Sequence, residues 1–76
     1  MDTVLATVDK SATEEIRIAL SAFKGKQVLD IRVFYQDETG VWKPTRKGIC
    51  ILAERWLELR DAIVQADMAL RQHGTV

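Results

Sequence analysis

Between Phe23 and Lys47 the chain interleaves aromatic and cationic residues in short clusters: Phe23-Lys24-Gly25-Lys26, Asp30-Ile31-Arg32, Phe34-Tyr35, Trp42-Lys43-Pro44 and Arg46-Lys47-Gly48. An unpaired nucleic-acid strand offers a protein two things, a line of phosphates and a series of exposed ring faces, and this segment carries a partner for each. Formal net charge is zero over the 76 residues, which at first argues against a polyanionic partner. The distribution reverses that reading. Residues 16–47 hold seven cations (Arg17, Lys24, Lys26, Arg32, Lys43, Arg46, Lys47) against Asp30, Asp37 and Glu38, a local +4, while residues 1–15 carry −3 and residues 48–76 carry −1. Within a Debye length of roughly 8 Å a phosphate senses the local field and not the total.

Other chemistries find little support. One cysteine and one histidine do not make a four-ligand metal site, and no glycine-rich phosphate loop of the nucleotide-binding types is present, so no cofactor and no small-molecule substrate are expected. His73 lies at a helix end without triad partners, Cys50 reads as a small packing residue of a strand, and Asp37 and Glu38 read as solubilising turn residues. The chain is therefore not expected to be an enzyme. No apolar run approaches the roughly 18 residues that span a bilayer, so a soluble protein without a membrane partner is expected.

The elements that must position these residues follow from periodicity. Residues 1–13 show no sustained period and read as a flexible arm. A half-buried strand over about 14–22 has Ile16, Ile18 and Leu20 on one face; a turn at Lys24-Gly25-Lys26 leads to a second strand over about 27–36. In strict alternation Tyr35 joins the buried face of that strand, so either it is core or the strand bends there. Asp37-Glu38-Thr39-Gly40 reads as a hairpin loop, followed by short strands over about 41–45 and 47–52 separated by Pro44, which has no N–H to donate to a ladder. From Ala53 to Gln72 the period is helical. Trp56, Leu59, Ile63, Ala66 and Leu70 form one apolar stripe for the sheet, and Leu57, Val64 and Met68 a second that suits a partner subunit. The expected fold is thus α+β, a four-stranded antiparallel meander with one C-terminal helix. A chain this short has a marginal core and no disulfide to supplement it, so a homodimer is expected.

Taken together, Phe23-Lys24-Gly25-Lys26, Asp30-Ile31-Arg32, Trp42-Lys43-Pro44, Arg46-Lys47-Gly48-Ile49 and Glu54-Arg55-Trp56 followed by Leu59 resemble the DNA-binding domain of the transcriptional coactivator positive cofactor four and its prokaryotic relatives. The resemblance spans Glu14 to about Ile63. It implies a curved four-stranded sheet followed by one helix, dimerisation through the helix and last strand, and single-stranded DNA held in channels across the sheets. It places the stacking rings on Phe23 and Tyr35 and the phosphate contacts on Lys24, Lys26, Arg32, Lys43, Arg46 and Lys47. Arg17 and Trp42 complete the candidate surface, Trp42 and Phe34 having core packing as their alternative reading. Two departures stand out: no capping Thr or Asn precedes the helix, where Leu52-Ala53 stands, and the glycine that commonly follows the proline is Thr45.

The expected function is sequence-tolerant binding of single-stranded DNA, melted duplex included, in transcription or in protection of unwound DNA. The alternatives are a protein-interaction adaptor that docks transcription or replication machinery, and an RNA-binding variant of the same fold. Such a protein is expected in the cytoplasm with the nucleoid in a prokaryote, or in the nucleus in a eukaryote.

Overall fold

The computed structural model describes residues 2–74. Four strands, β1 (Thr3–Asp9), β2 (Glu14–Phe23), β3 (Lys26–Gln36) and β4 (Trp42–Leu52), form one open sheet in the order β1-β2-β3-β4, each antiparallel to its neighbour. A single 3₁₀ turn (Ala53–Arg55) then opens α1 (Trp56–Gln72). The architecture is the expected meander with one C-terminal helix, but two of its strands are drawn from other residues than expected.

The first difference is β1. Residues 3–9, expected to be part of a flexible arm, pair along β2 from Thr3 opposite Leu20 to Asp9 opposite Glu15; Met1 lies outside the described residues. The run Thr3-Val4-Leu5-Ala6-Thr7-Val8 is rich in β-branched residues, which suit a pleated surface. Its period of two is broken by a bulge between Val4 and Ala6, and that break is why alternation does not reveal the strand. The second difference is β4. The two short strands expected on either side of Pro44 form one continuous edge strand, irregular at the proline end, where Arg32 pairs with Gly48 but Phe34 pairs with Pro44. Three residues, Thr45, Arg46 and Lys47, thus stand opposite Val33 alone.

Cross-strand partners share a face. One face carries Ile16, Ile18 and Leu20 opposite Val33, Ile31 and Leu29, which in turn meet Ile49 and Ile51 on β4. α1 enters over this apolar face, and Trp56 borders a hollow of about 350 Å³ with Leu5, Ile18, Leu20, Leu29 and Ala53. Coverage ends there. Trp56 and Leu59 are half-buried, but Ile63, Ala66 and Leu70 of the same stripe are exposed, as are Leu57, Val64 and Met68. The stripe expected to cover the sheet does so only through its first turn.

Core formation is correspondingly slight: among the described residues only Ala19 and Val28 are buried. The subunit measures 42 × 35 × 18 Å and exposes 6044 Å². A compact monomer of 8.6 kDa would expose only about 4,700 Å². Neither end of the 3₁₀ turn has a side-chain cap, as the Leu52-Ala53 sequence implies. At the other end His73 N–H donates to the Ala69 carbonyl, and Gly74 takes the left-handed conformation (φ +70°) while donating to the Arg71 carbonyl.

Candidate nucleic-acid interface

The candidate residues resolve into three groups. The first is the tip of the β2–β3 hairpin. Lys24 and Gly25 both have positive φ (51° and 77°), the signature of a two-residue type I′ turn, so Phe23 pairs directly with Lys26. Lys24 is the one non-glycine residue with positive φ among those described, a conformation that costs an L-residue roughly 1–2 kcal/mol. In that conformation its Nζ lies 5.3 Å from the centre of the Phe23 ring. The ring itself is 58% exposed and borders a shallow hollow with Val28, Cys50 and Leu52. Cys50, expected as a small packing residue of a strand, is exposed on edge strand β4.

The second group lies at the opposite end of the hairpin. Tyr35 pairs with Glu14 on β2 and Lys43 on β4, and its ring is 39% exposed. The β2–β3 ladder runs through Tyr35 without a register shift, so its side chain belongs to the apolar face, but at a margin that α1 does not cover. Lys47 is on the same face, bordering a hollow with Ile16, Ile31, Val33 and Ile49, and Arg46 stands beside it, exposed. Lys43 Nζ is 3.0 Å from Asp37 Oδ2.

The third group occupies the other face and is committed to internal contacts. Arg17 lies opposite Arg32. The Arg17 guanidinium is 4.2 Å from the Phe34 ring centre and 5.9 Å from that of Trp42, and it forms an ion pair with Glu15. Arg32 holds Asp30 through Nε and Nη2 and donates from Nη1 to the Thr45 carbonyl at 3.0 Å. Phe34 and Trp42, both half-buried, therefore serve as the apolar bed of an arginine. Among the seven cations of residues 16–47, Arg17, Arg32 and Lys43 have carboxylate partners, whereas Lys24, Lys26, Arg46 and Lys47 have none among the described residues.

One surface displaying every candidate does not emerge. Phe23 and Tyr35 are nine residues apart along the β2–β3 ladder, about 30 Å at 3.3 Å per residue, and alternation assigns them to opposite faces. Each ring nevertheless has its own cations nearby, Lys24 and Lys26 at one end, Lys43, Arg46 and Lys47 at the other.

Asp37, expected as a solubilising turn residue, is the hub of the β3–β4 loop. Its Oδ1 accepts from the Thr39 N–H (2.8 Å), the Thr39 hydroxyl (2.6 Å) and the Val41 N–H (3.1 Å), and its backbone N–H donates to the Val41 carbonyl. The Asp-x-Thr spacing is the available signal, since an Asp side chain readily bonds the backbone two residues on. These hydrogen bonds, that from the Thr39 hydroxyl foremost, and the Lys43 ammonium lower the Asp37 pKa from 3.8 to about 2. A depressed carboxylate contributes stability that is fully present above its unfolded value and lost as pH falls through its folded one. The loop is therefore expected to hold at pH 4 and to loosen towards pH 2. A carbon-detected NMR titration of the Asp37 carboxyl should find its midpoint near 2, with the Thr39 and Val41 amides moving in step; a midpoint near 3.8 would show that the network does not form in solution.

A sheet of four antiparallel strands that hands on to a single terminal helix is the PC4-like coactivator fold, as the likeness to solved PC4 homologues shows. Residues 10–62 match the family described as Transcriptional Coactivator p15 (PC4), and the chain belongs to that family. Among solved structures, a PC4 homologue from Burkholderia pseudomallei is similar in two crystal forms. The tetragonal form has a TM-score of 0.81 at 33% identity, over 88% of this chain and 98% of that one. The orthorhombic form has 0.78 at 34% identity, over 86% and 88%. A bacteriophage T5 homologue of the eukaryotic coactivator PC4, implicated in recombination-dependent DNA replication, shares the fold at 22% identity, with a TM-score of 0.72 over 97% of this chain and 88% of that one. A Caenorhabditis elegans protein named as an RNA polymerase II transcriptional coactivator is 39% identical over 49 residues. That match covers 63% of this chain and 40% of the relative, so the chain spans less than half the length of that curated protein. Among the described residues no helix is long and apolar enough to cross a membrane.

Proposed function

We propose that the chain acts as a homodimer that binds single-stranded DNA with little regard to sequence, bases stacking on Phe23 and Tyr35 while lysines and arginines hold the phosphates. The observation that carries this reading is the hairpin tip, where an aromatic ring more than half exposed is flanked by two lysines that have no carboxylate partner among the described residues. Nothing in the packing of the subunit requires a phenyl ring there, since the ring leaves most of its surface in water. Family membership supports the same reading, and so does the second exposed ring at Tyr35 beside Lys43, Arg46 and Lys47. A duplex hides its base faces, so ring stacking favours unpaired or melted strands. Because the two rings lie about 30 Å apart along the ladder and on opposite faces, one strand that engages both must pass round the sheet and span more than that distance.

The test is fluorescence anisotropy with a labelled single strand of about 20 nucleotides, against RNA and duplex of equal length, over a series of salt concentrations. The four cations without carboxylate partners should give a log–log salt slope near −3 per subunit, at about 0.7 for each phosphate neutralised. Single-stranded DNA should bind more tightly than duplex. Equal affinity for the duplex, or a slope near zero, would reject the reading and favour a protein-docking role for the same fold.

A further inference from the structure

We propose that Thr45 and Arg32 are positioning residues: together they clamp the β4 bulge and so fix Arg46 and Lys47 where a phosphate backbone can meet them. The inference rests on the single-strand reading above, and it assigns Arg32 a different task from the phosphate contact expected from sequence. Three residues opposite one leave the ladder locally unmade, and the freed backbone groups turn to side chains or to water. The Thr45 side chain partners two of them. Its hydroxyl donates to the Val33 carbonyl at 2.7 Å and accepts from the Lys47 N–H at 3.1 Å. The Thr45 carbonyl accepts from Arg32 Nη1 at 3.0 Å, while the rest of that guanidinium is held by Asp30.

The bulge has little room to relax by sliding. Immediately after it, Gly48 lies so close to β3 that a Cβ there would come within 2.5 Å of the Ile31 carbonyl oxygen and 2.8 Å of Arg32 Cα. β4 is thus drawn tight against β3 on one side of the bulge and reaches Pro44, which has no N–H to donate, on the other. Between those points one hydroxyl and one guanidinium fork determine the path of the chain. A lysine at position 32 would keep the charge but could not hold Asp30 and the Thr45 carbonyl at once with a planar fork.

The experiment compares Thr45→Val, which keeps the shape and removes the hydroxyl, with Thr45→Ser, which retains it, and adds Arg32→Lys and the double variant Arg46→Ala with Lys47→Ala. Two readouts are taken on folded protein, amide hydrogen exchange at Lys47 without nucleic acid, and the salt slope for a 20-nucleotide single strand. Thr45→Val should speed Lys47 exchange at least about tenfold and reduce the slope by about 0.7–1.4, one to two phosphate contacts, approaching the double alanine variant. Thr45→Ser should restore both, and Arg32→Lys should reduce the slope although no charge is lost. If Thr45→Val or Arg32→Lys binds with the slope of the unaltered protein, the clamp is overturned and the single-strand reading stands. If the unaltered protein fails to bind the oligonucleotide, the single-strand reading falls, and the proposal with it.

Discussion

Replacing Phe23 by alanine should weaken binding of a 20-nucleotide single strand about 5- to 150-fold, and the Phe23→Ala, Tyr35→Ala double variant should lose close to the product of the two effects. Each base stacked on an aromatic side chain is worth on the order of 1–3 kcal/mol, and RT ln K converts that range into the fold-changes given. The rings are about 30 Å apart and share no contact, so additivity is expected. The ring losses should also carry a distinctive signature. Neither substitution removes a cation, so the salt slope should stay constant while affinity falls at every salt concentration. Lys24→Ala with Lys26→Ala should do the opposite, flattening the slope. Phe23→Ala should barely change thermal stability, because the ring is 58% exposed and little packing is lost. Phe34→Ala serves as the contrast: that ring carries the Arg17 guanidinium at 4.2 Å and should cost stability. An unchanged dissociation constant in the Phe23→Ala, Tyr35→Ala protein would exclude stacking on these rings as the source of affinity.

How much of this was legible in the sequence depended on whether neighbouring residues or distant partners decide the outcome. The Lys24-Gly25 turn, the two long strands it joins and the C-terminal helix with its Gly74 stop follow from local pattern, and the structure places them close to where the pattern does. Strands β1 and β4 were harder for one shared reason. Each contains a bulge, and a bulge shifts the side-chain alternation by which a strand is read. Thr3-Val4-Leu5-Ala6-Thr7-Val8 consequently looked aperiodic, and Trp42–Leu52 looked like two strands.

The charge pattern was legible as a sum but not as individual roles. Residues 16–47 do carry a local excess of positive charge, yet sequence spacing does not show which cations are neutralised across or along a strand. Arg17 with Glu15 and Arg32 with Asp30 are pairs two residues apart on the same face, a spacing that only strand geometry makes close. The structure thereby separates cations that organise the sheet from Lys24, Lys26, Arg46 and Lys47, whose charges remain available to a ligand. Thr45 was visible as a departure from the family's usual glycine, but its task depends on the bulge that it closes.

The second large effect is expected on the helix. Introducing Val64→Asp with Met68→Asp should convert the proposed dimer, of twice 8.6 kDa, into a monomer by light scattering, with collapse of most of the cooperative unfolding transition. α1 has no buried residue, and Leu57, Ile63, Val64, Met68 and Leu70 are each 45–58% exposed. Leu57, Val64 and Met68 share one side of this 17-residue helix and Ile63 and Leu70 another, and neither side is covered by a partner among the described residues. The subunit exposes about 1,300 Å² more than a compact monomer of its mass, and twice that figure falls within the 2,000–5,000 Å² of obligate homodimers. Two carboxylates placed in such an interface are desolvated without partners, a cost of several kcal/mol per subunit that exceeds what a core of Ala19 and Val28 can offset. Glu58→Gln is the control on the same helix; Glu58 is exposed and its ion pair is with the exposed Arg55, so mass and melting should not change. Because assembly and folding are coupled, the melting temperature of the unaltered protein should rise with protein concentration. A monomeric mass for the unaltered protein, with a melting temperature independent of concentration, would refute the dimer and leave the apolar row of α1 to a different partner.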